Sequence, residues 1–215
     1  LDNKIISNST HRARRDPKRV VFAEADNYKV LKAAQVAQED GICYPILLGN
    51  EDKIRGLIEE YSLGLEDAEI INPKAVENRA LRKEYGAFYH KMRERKGMTR
   101  YEADQAMRER NYFGAMMVHL GKADAIISGI TRKYKDVIRP ALRIIGMDEE
   151  VNRVAGMYIM MTKQGPIFFG DATVNKNPDA QALIDITLLV AQAVKNLRIK
   201  PNIAMLSYSN FGSAR

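Results

Sequence analysis

The chain has no tryptophan, one cysteine and three histidines in 215 residues. The single thiol, Cys43, can form no internal disulfide. Neither it nor the scattered His11, His90 and His119 has neighbours at metal-ligand spacing, so no metal site is expected. No run approaches the roughly eighteen apolar residues that a bilayer-spanning helix requires, and the opening LDNKIISNSTHRARRDPKR lacks the apolar stretch of a signal peptide. The expectation is a soluble, cytoplasmic protein with no membrane partner. Neither G-x-G-x-x-G nor G-x-x-x-x-G-K-[ST] occurs, which disfavours nucleotide binding through those two loops. A G-x-S-x-G nucleophile elbow, internal repeats and low-complexity segments are also missing, which leaves a serine-hydrolase reading with little support.

What is present is an ordinary globular balance, 46% hydrophobic and 28% charged, with an excess of 34 Lys and Arg over 27 Asp and Glu. The formal charge of +7 suits an anionic partner. The cations gather in three segments: Arg12, Arg14, Arg15, Lys18 and Arg19; Arg93, Arg95, Lys96 and Arg100; and Arg132, Lys133, Lys135, Arg139 and Arg143. Aromatic residues are not interleaved with them as a base-stacking platform requires, so nucleic acid is disfavoured and a phosphorylated small molecule fits better. For any one of these cations, a solvated helix face is the ordinary alternative.

Strand-length apolar runs alternate with amphipathic stretches of helix length, which predicts an α/β fold with a largely parallel sheet. Strands are expected at Arg19 to Ala23, Pro45 to Leu48, Glu69 to Ile71 and Asp124 to Ser128. Helices are expected at Tyr28 to Asp40, with Leu31, Ala34 and Ala37 inward, and at Asp52 to Tyr61, with Ile54, Leu57, Ile58 and Tyr61 inward. A further helical stretch follows Asn72-Pro73 and runs to about Lys96. Thr99 and Glu102 have capping-box spacing and open a helix expected to reach Leu120. A short helix is expected around Val137 to Ile145, with Pro140 in its first turns. The pattern then changes to a hairpin, Val154 to Thr162 and Pro166 to Phe169, followed by a long helix with Asn177 as N-cap and a last strand at Asn202 to Leu206. The expected organisation is a basic linker or arm at 1–18, a first α/β subdomain at 19–146 and the start of a second at 147–215.

In open α/β sheets, ligands lie outside the carboxyl ends of the strands. Ser128-Gly129-Ile130-Thr131 follows one strand and reads either as an ordinary strand-to-helix turn or as an anion site, with two hydroxyls, a glycine that lets backbone N–H groups approach, and Arg139 beyond it for charge-assisted contact. Ser207, Ser209, Asn210, Gly212 and Ser213 crowd the end of the last predicted strand, a composition suited to phosphate or an oxyanion. Asp171 reads equally as an active-site carboxylate or as a cap. Arg93 is indistinguishable by spacing from a solvated helix end.

Six stretches, in order along the chain, resemble the phosphotransacetylase (phosphate acetyl/butyryltransferase) family: Asp16 to Glu24, Arg93 to Thr99, Ala123 to Gly129, Ile138 to Gly146, Val174 to Ala180 and Leu206 to Ser213. The Ser-Asn-Phe-Gly-Ser ending resembles more closely the copies fused to the C-terminus of large bacterial NADP-dependent malic enzymes, because Phe211 stands where free-standing members tend to carry lysine. The resemblance implies two three-layer α/β/α subdomains of isocitrate-dehydrogenase-like fold, the second incomplete here, with ligands in a cleft between them. It implies coenzyme A or acetyl-CoA and phosphate or acetyl phosphate as ligands, held by Arg93, Ser128, Gly129, Thr131, Arg139, Ser207, Ser209, Asn210, Gly212 and Ser213. The catalytic serine-arginine pair and aspartate of the family would lie beyond Arg215. The resemblance supports two readings. The first is a regulatory, oligomerising domain of a malic enzyme that binds acetyl-CoA, forms a homo-oligomer and partners an upstream domain carrying NADP and a divalent metal. The alternative is an active phosphate acetyltransferase.

Overall fold

The computed structural model describes residues 4–206. Their internal contacts divide into two units, Ile6–Gly146 and a second that joins the residues up to Ile5 to those from Met147 onward.

The first unit is built on four parallel strands, β1 (Lys18–Phe22), β2 (Cys43–Leu48), β3 (Glu69–Ile71) and β4 (Ala125–Ile127), in the order β3-β2-β1-β4. Register is fixed by Lys18 opposite Cys43, Val20 opposite Ala125 and Ile46 opposite Glu69. β2 is a near-continuous, largely buried apolar run because both its faces are covered, β1 is buried at its carboxyl end, and β4 at the sheet edge is more exposed; neighbouring side chains alternate between the two faces. On one face Phe22 and Leu47 pack with Leu31 and Ala34 of α2 (Tyr28–Glu39) and Ile54 and Ile58 of α3 (Glu51–Glu60). On the other face Val21, Ile46 and Leu48 pack with residues of three helices. These are Tyr85 and Tyr89 of α4 (Arg79–Arg93), Ala103 of α5 (Arg100–Ala106), and Phe113 and Met116 of α6 (Arg110–His119). The result is the three-layer α/β/α arrangement expected from the sequence. Gly114 lets α6 sit close on the sheet, since a Cβ there would lie 2.6 Å from Ile126 Cδ1 and 3.1 Å from Val21 Cγ1.

Local signals explain most boundaries. Asn27 and Asn50 cap α2 and α3 by accepting from Lys29 N and Lys53 N, and Thr99 and Glu102 form the expected capping box. Several element ends shift from expectation, and three of the departures bear on the architecture. The segment read as a basic linker or arm contains a helix, α1 (Lys4–Arg15), held by Arg14, whose Nε donates to the Asp40 carbonyl at 2.6 Å. The helix expected to run from Thr99 to Leu120 breaks between Ala106 and Arg110, where the chain turns to bring Arg110 to Asp26. Finally, α7 (Tyr134–Ile144) starts three residues before the expected Val137, which places Pro140 in its interior rather than in its first turns.

In the second unit β5 (Met157–Thr162) and β6 (Gly165–Gly170) form the expected antiparallel hairpin, and α8 (Ala180–Asn196) packs on β6. Gly170 has no side chain because Val190 of α8 occupies that space. The N-cap of α8 is Asp179, which accepts from Ala182 N at 2.7 Å, and not Asn177. Residues 202–206 pair with no strand among the described residues, so the last predicted strand is not formed there. Asp171 acts as a loop cap. Its carboxylate accepts from Gly156 N, Thr173 N, Val174 N and Asn175 N at 2.9–3.1 Å. Burial pushes this carboxyl up, but those hydrogen bonds outweigh it and hold the group at about 2.

Candidate active site

Chain order reverses at β1 and β4, because β2 and β3 extend the sheet on one side of β1 while β4 joins on the other. Their carboxyl ends therefore form the switch point at which such sheets bind ligands. There Glu24, 3% exposed, stands two residues beyond β1, and the loop after β4 wraps around it. Its Oε1 accepts from Ser128 Oγ at 3.0 Å, Gly129 N at 2.5 Å and Ile130 N at 3.1 Å. Its Oε2 accepts from Thr131 N at 2.6 Å and from the Thr131 hydroxyl. Gly129 has φ of 121°, a conformation other residues rarely adopt. Burial pushes the Glu24 carboxyl up, yet the bonds from Thr131, Gly129 and Ser128 hold it at about 2.

The loop thus cradles an anion, as its composition implies, but the anion is the chain's own. Ser128, Gly129 and Thr131 turn their donors to Glu24 rather than outward. Beyond them, Arg132 and Arg139 line a cavity of about 270 Å³ with Glu109, Tyr112, Asp136 and Pro140. A second cavity, about 430 Å³, is lined by Tyr89, Lys96, Gly97, Tyr101, Tyr112 and Arg143 among others. Arg139 and Arg143 are one helical turn apart on α7, and Tyr112 borders both cavities. Arg143 Nη1 donates to Tyr112 Oη at 3.3 Å, and the Tyr89 and Tyr112 rings lie 5.5 Å apart.

Pro140 has no N–H, so the carbonyl of Asp136, four residues earlier, loses its helical partner. Buried Asn111 of α6 replaces it, Nδ2 donating to that carbonyl at 3.3 Å. The side chain of α6 therefore completes the backbone of the helix that carries Arg139.

Of the residues expected at the site, Ser128, Gly129, Thr131 and Arg139 fall within this one region, and Arg93 does not line either cavity. Ser207, Ser209, Asn210, Phe211, Gly212 and Ser213 lie outside the described residues. Glu24, Asn111 and Tyr112 are not anticipated by sequence reasoning. Arg132 stands out in the sequence only as part of a cationic run, although its place next to the Ser-Gly-Ile-Thr loop is the available signal. Among the described residues no helix is long and apolar enough to cross a membrane, and no group of three or more His, Cys, Asp or Glu residues could hold a metal ion.

The family model described as "Phosphate acetyl/butaryl transferase" matches residues 4–215. The chain belongs to this family. A phosphate acetyltransferase of Staphylococcus epidermidis is 36% identical over 197 residues, covering 92% of this chain and 59% of its own length. One of Helicobacter pylori is 34% identical over 204 residues, covering 95% of this chain and 39% of its own. Among solved structures, the EutD phosphotransacetylase from Staphylococcus aureus superposes with a TM-score of 0.84 at 32% identity, over 99% of this chain and 63% of that one. A phosphotransacetylase from Streptococcus pyogenes gives 0.83 at 29% identity, over 99% of this chain and 64% of that one. The chain thus spans less than two-thirds of the length of these relatives.

These findings overturn the expectation of a malic enzyme domain with an upstream NADP and metal site. That expectation rested on one short terminal loop and on the lysine absent at Phe211. Identity spread over 197 residues to a phosphate acetyltransferase outweighs one side chain.

Proposed function

We propose that the protein is a phosphate acetyltransferase that moves an acetyl group between coenzyme A and phosphate. The observation that supports this best is the pairing of Arg132 and Arg139 over one small cavity at the switch point, in a chain of this family. In the direction of acetyl phosphate synthesis, a phosphate oxygen attacks the thioester carbonyl, the new C–O bond forms, and the C–S bond breaks as the thiolate of coenzyme A departs. The proton given up by phosphate ends on that thiolate or in solvent.

Two guanidinium groups suit the substrate because each presents a planar fork of donors that matches phosphate oxygens. They also hold a phosphate oxygen in place for attack, which lowers the entropic part of the barrier. Glu109 and Asp136 line the same cavity, so phosphate meets carboxylates as well as cations, and its affinity alone is expected to be modest. Arg143 and Lys96 in the adjoining cavity provide further cations for the phosphates of coenzyme A.

The test is acetyl phosphate formation from acetyl-CoA and inorganic phosphate, followed by release of the thiol. Turnover that depends on both substrates, with kcat/KM for phosphate reduced about tenfold or more in Arg139→Gln, is the expected result. A chain that neither turns over nor binds coenzyme A overturns the reading.

A further inference from the structure

We propose that Glu24 is a positioning residue for the phosphate site, its carboxylate holding the 128–131 loop in the conformation that delivers Arg132 and Arg139 to their shared cavity. This rests on the function proposed above.

A carboxylate at the buried end of a central strand is costly unless its oxygens are fully bonded. Here both are, by three successive backbone N–H groups and two hydroxyls. Successive N–H groups pointing at one place repel one another, and a chain holds that shape when an anion sits at its focus. Glu24 is that anion. It arrives from β1, 104–107 residues earlier in sequence, so the sheet pairing of β1 with β4 is what brings the two together.

The loop in turn sets the start of α7. Arg132 is bonded directly to Thr131, and Lys133 is the N-cap of that helix. The height and rotation of the first turn of α7 are therefore set where Thr131 meets Glu24 through both its N–H and its hydroxyl. Arg139 lies further along the same helix, whose Asp136 is fixed independently by Asn111. Two anchors thus hold the arginine-bearing segment, Glu24 before the helix and Asn111 within it. The N–H groups of Gly129, Ile130 and Thr131 and the two hydroxyls are engaged in this role. Their part in anion binding is indirect, through the arginines they place.

Glu24→Gln keeps the shape of the side chain but turns an NH2 group toward donors that need an acceptor. Inorganic phosphate and, separately, coenzyme A are titrated calorimetrically into the wild-type protein, Glu24→Gln, Arg139→Gln and the double variant, with urea unfolding of each. The expected result is a cooperatively folded Glu24→Gln protein that binds phosphate about tenfold more weakly, the loss expected from one charge-assisted contact. The double variant should lose less affinity than the two single losses combined, because part of the Glu24→Gln effect acts through Arg139 and only the rest through Arg132. A role in stability alone would lower the urea midpoint and leave the phosphate affinity of the folded protein unchanged, which overturns the proposal. So would tighter phosphate binding by Glu24→Gln, since the carboxylate would then be a competitor for the anion. If Glu24→Gln does not fold, Ser128→Ala combined with Thr131→Val removes the two hydroxyl contacts and leaves the N–H groups in place. Weakened phosphate binding in that variant supports the proposal, and unchanged binding overturns it. A wild-type protein that binds neither phosphate nor coenzyme A overturns the functional reading and this inference together. Wild-type binding with an unaffected Glu24→Gln overturns this inference alone.

Discussion

Arg110 grips Asp26 with both ends of its guanidinium, Nη1 to Oδ1 at 2.5 Å and Nη2 to Oδ2 at 2.8 Å, across 84 positions of sequence. The pair fastens the first residue of α6 to the carboxyl end of β1, beside Glu24, and Lys53 approaches the same carboxylate at 3.7 Å. Both partners are about three-quarters buried, so neither is easily resolvated when the other is removed. Asp26→Ala is expected to cost about 2–3 kcal/mol in urea unfolding, and Asp26→Ala with Arg110→Ala less than the sum of the two single changes. Additive losses would show that the pair is not coupled.

Acid should release two internal caps at once. The Glu24 and Asp171 carboxyls are each held at about 2, below the ordinary carboxylate range. A carboxyl whose folded pKa is depressed contributes stability that is present above its unfolded value, roughly 4, and is lost as pH falls toward its folded value. Stability should therefore decline between about pH 4 and pH 2, and more gently in Glu24→Gln, which cannot take up that proton. Urea midpoints of both proteins across this range provide the measurement. Parallel slopes would show that Glu24 does not contribute to the decline.

The helices and strands of the first unit were legible because burial imposes a period on the sequence. Leu31, Ala34, Ile54 and Ile58 recur at helical spacing and are the residues found in the core, and the capping box of Thr99 and Glu102 is a local device written within four residues. The break after Ala106 is not legible in the sequence, where nothing marks that the helix beyond it starts at Arg110, paired with Asp26 84 residues earlier. The same holds for Glu24. A glutamate after an apolar strand carries no mark of the loop it will enter, and only the placement of β4 beside β1 reveals it. Asp171 left two readings open for a related reason: its partners, from Gly156 to Asn175, are near in sequence but arranged by the hairpin between them. The composition of the 128–131 loop points to a bound ligand anion, whereas its donors are taken by Glu24, a partner that composition does not reveal.

Gly114 tests how closely α6 must approach the sheet. Alanine would favour the helix by about 1 kcal/mol, but its methyl would press on Ile126, Val21 and Leu48, at 2.6, 3.1 and 3.4 Å from the new carbon. Val21 and Leu48 are fully buried and have no free space to move into. Overpacking of about 1–3 kcal/mol should outweigh the helical gain, giving a net loss near 1 kcal/mol in thermal or urea unfolding. A stabilised Gly114→Ala protein would mean that α6 can rise from the sheet without cost.

The bond between Asn111 and the Asp136 carbonyl exists because Pro140 cannot make it, and this dependence can be isolated by a double-mutant cycle. Asn111→Leu keeps the volume roughly constant while leaving the carbonyl without a donor, and is expected to cost about 1–3 kcal/mol, the usual penalty for an unsatisfied buried group. Pro140→Ala restores an N–H four residues after Asp136, so the helix can then complete its own ladder. In that background Asn111→Leu should cost markedly less. The cycle also has a functional readout, because Pro140 and Asp136 line the same cavity as Arg139. Asn111→Leu alone should weaken phosphate binding, and adding Pro140→Ala should restore part of it by giving the Asp136 carbonyl a helical donor again. Equal losses from Asn111→Leu in both backgrounds would show that Asn111 supports the core of α6 and has no part in holding α7.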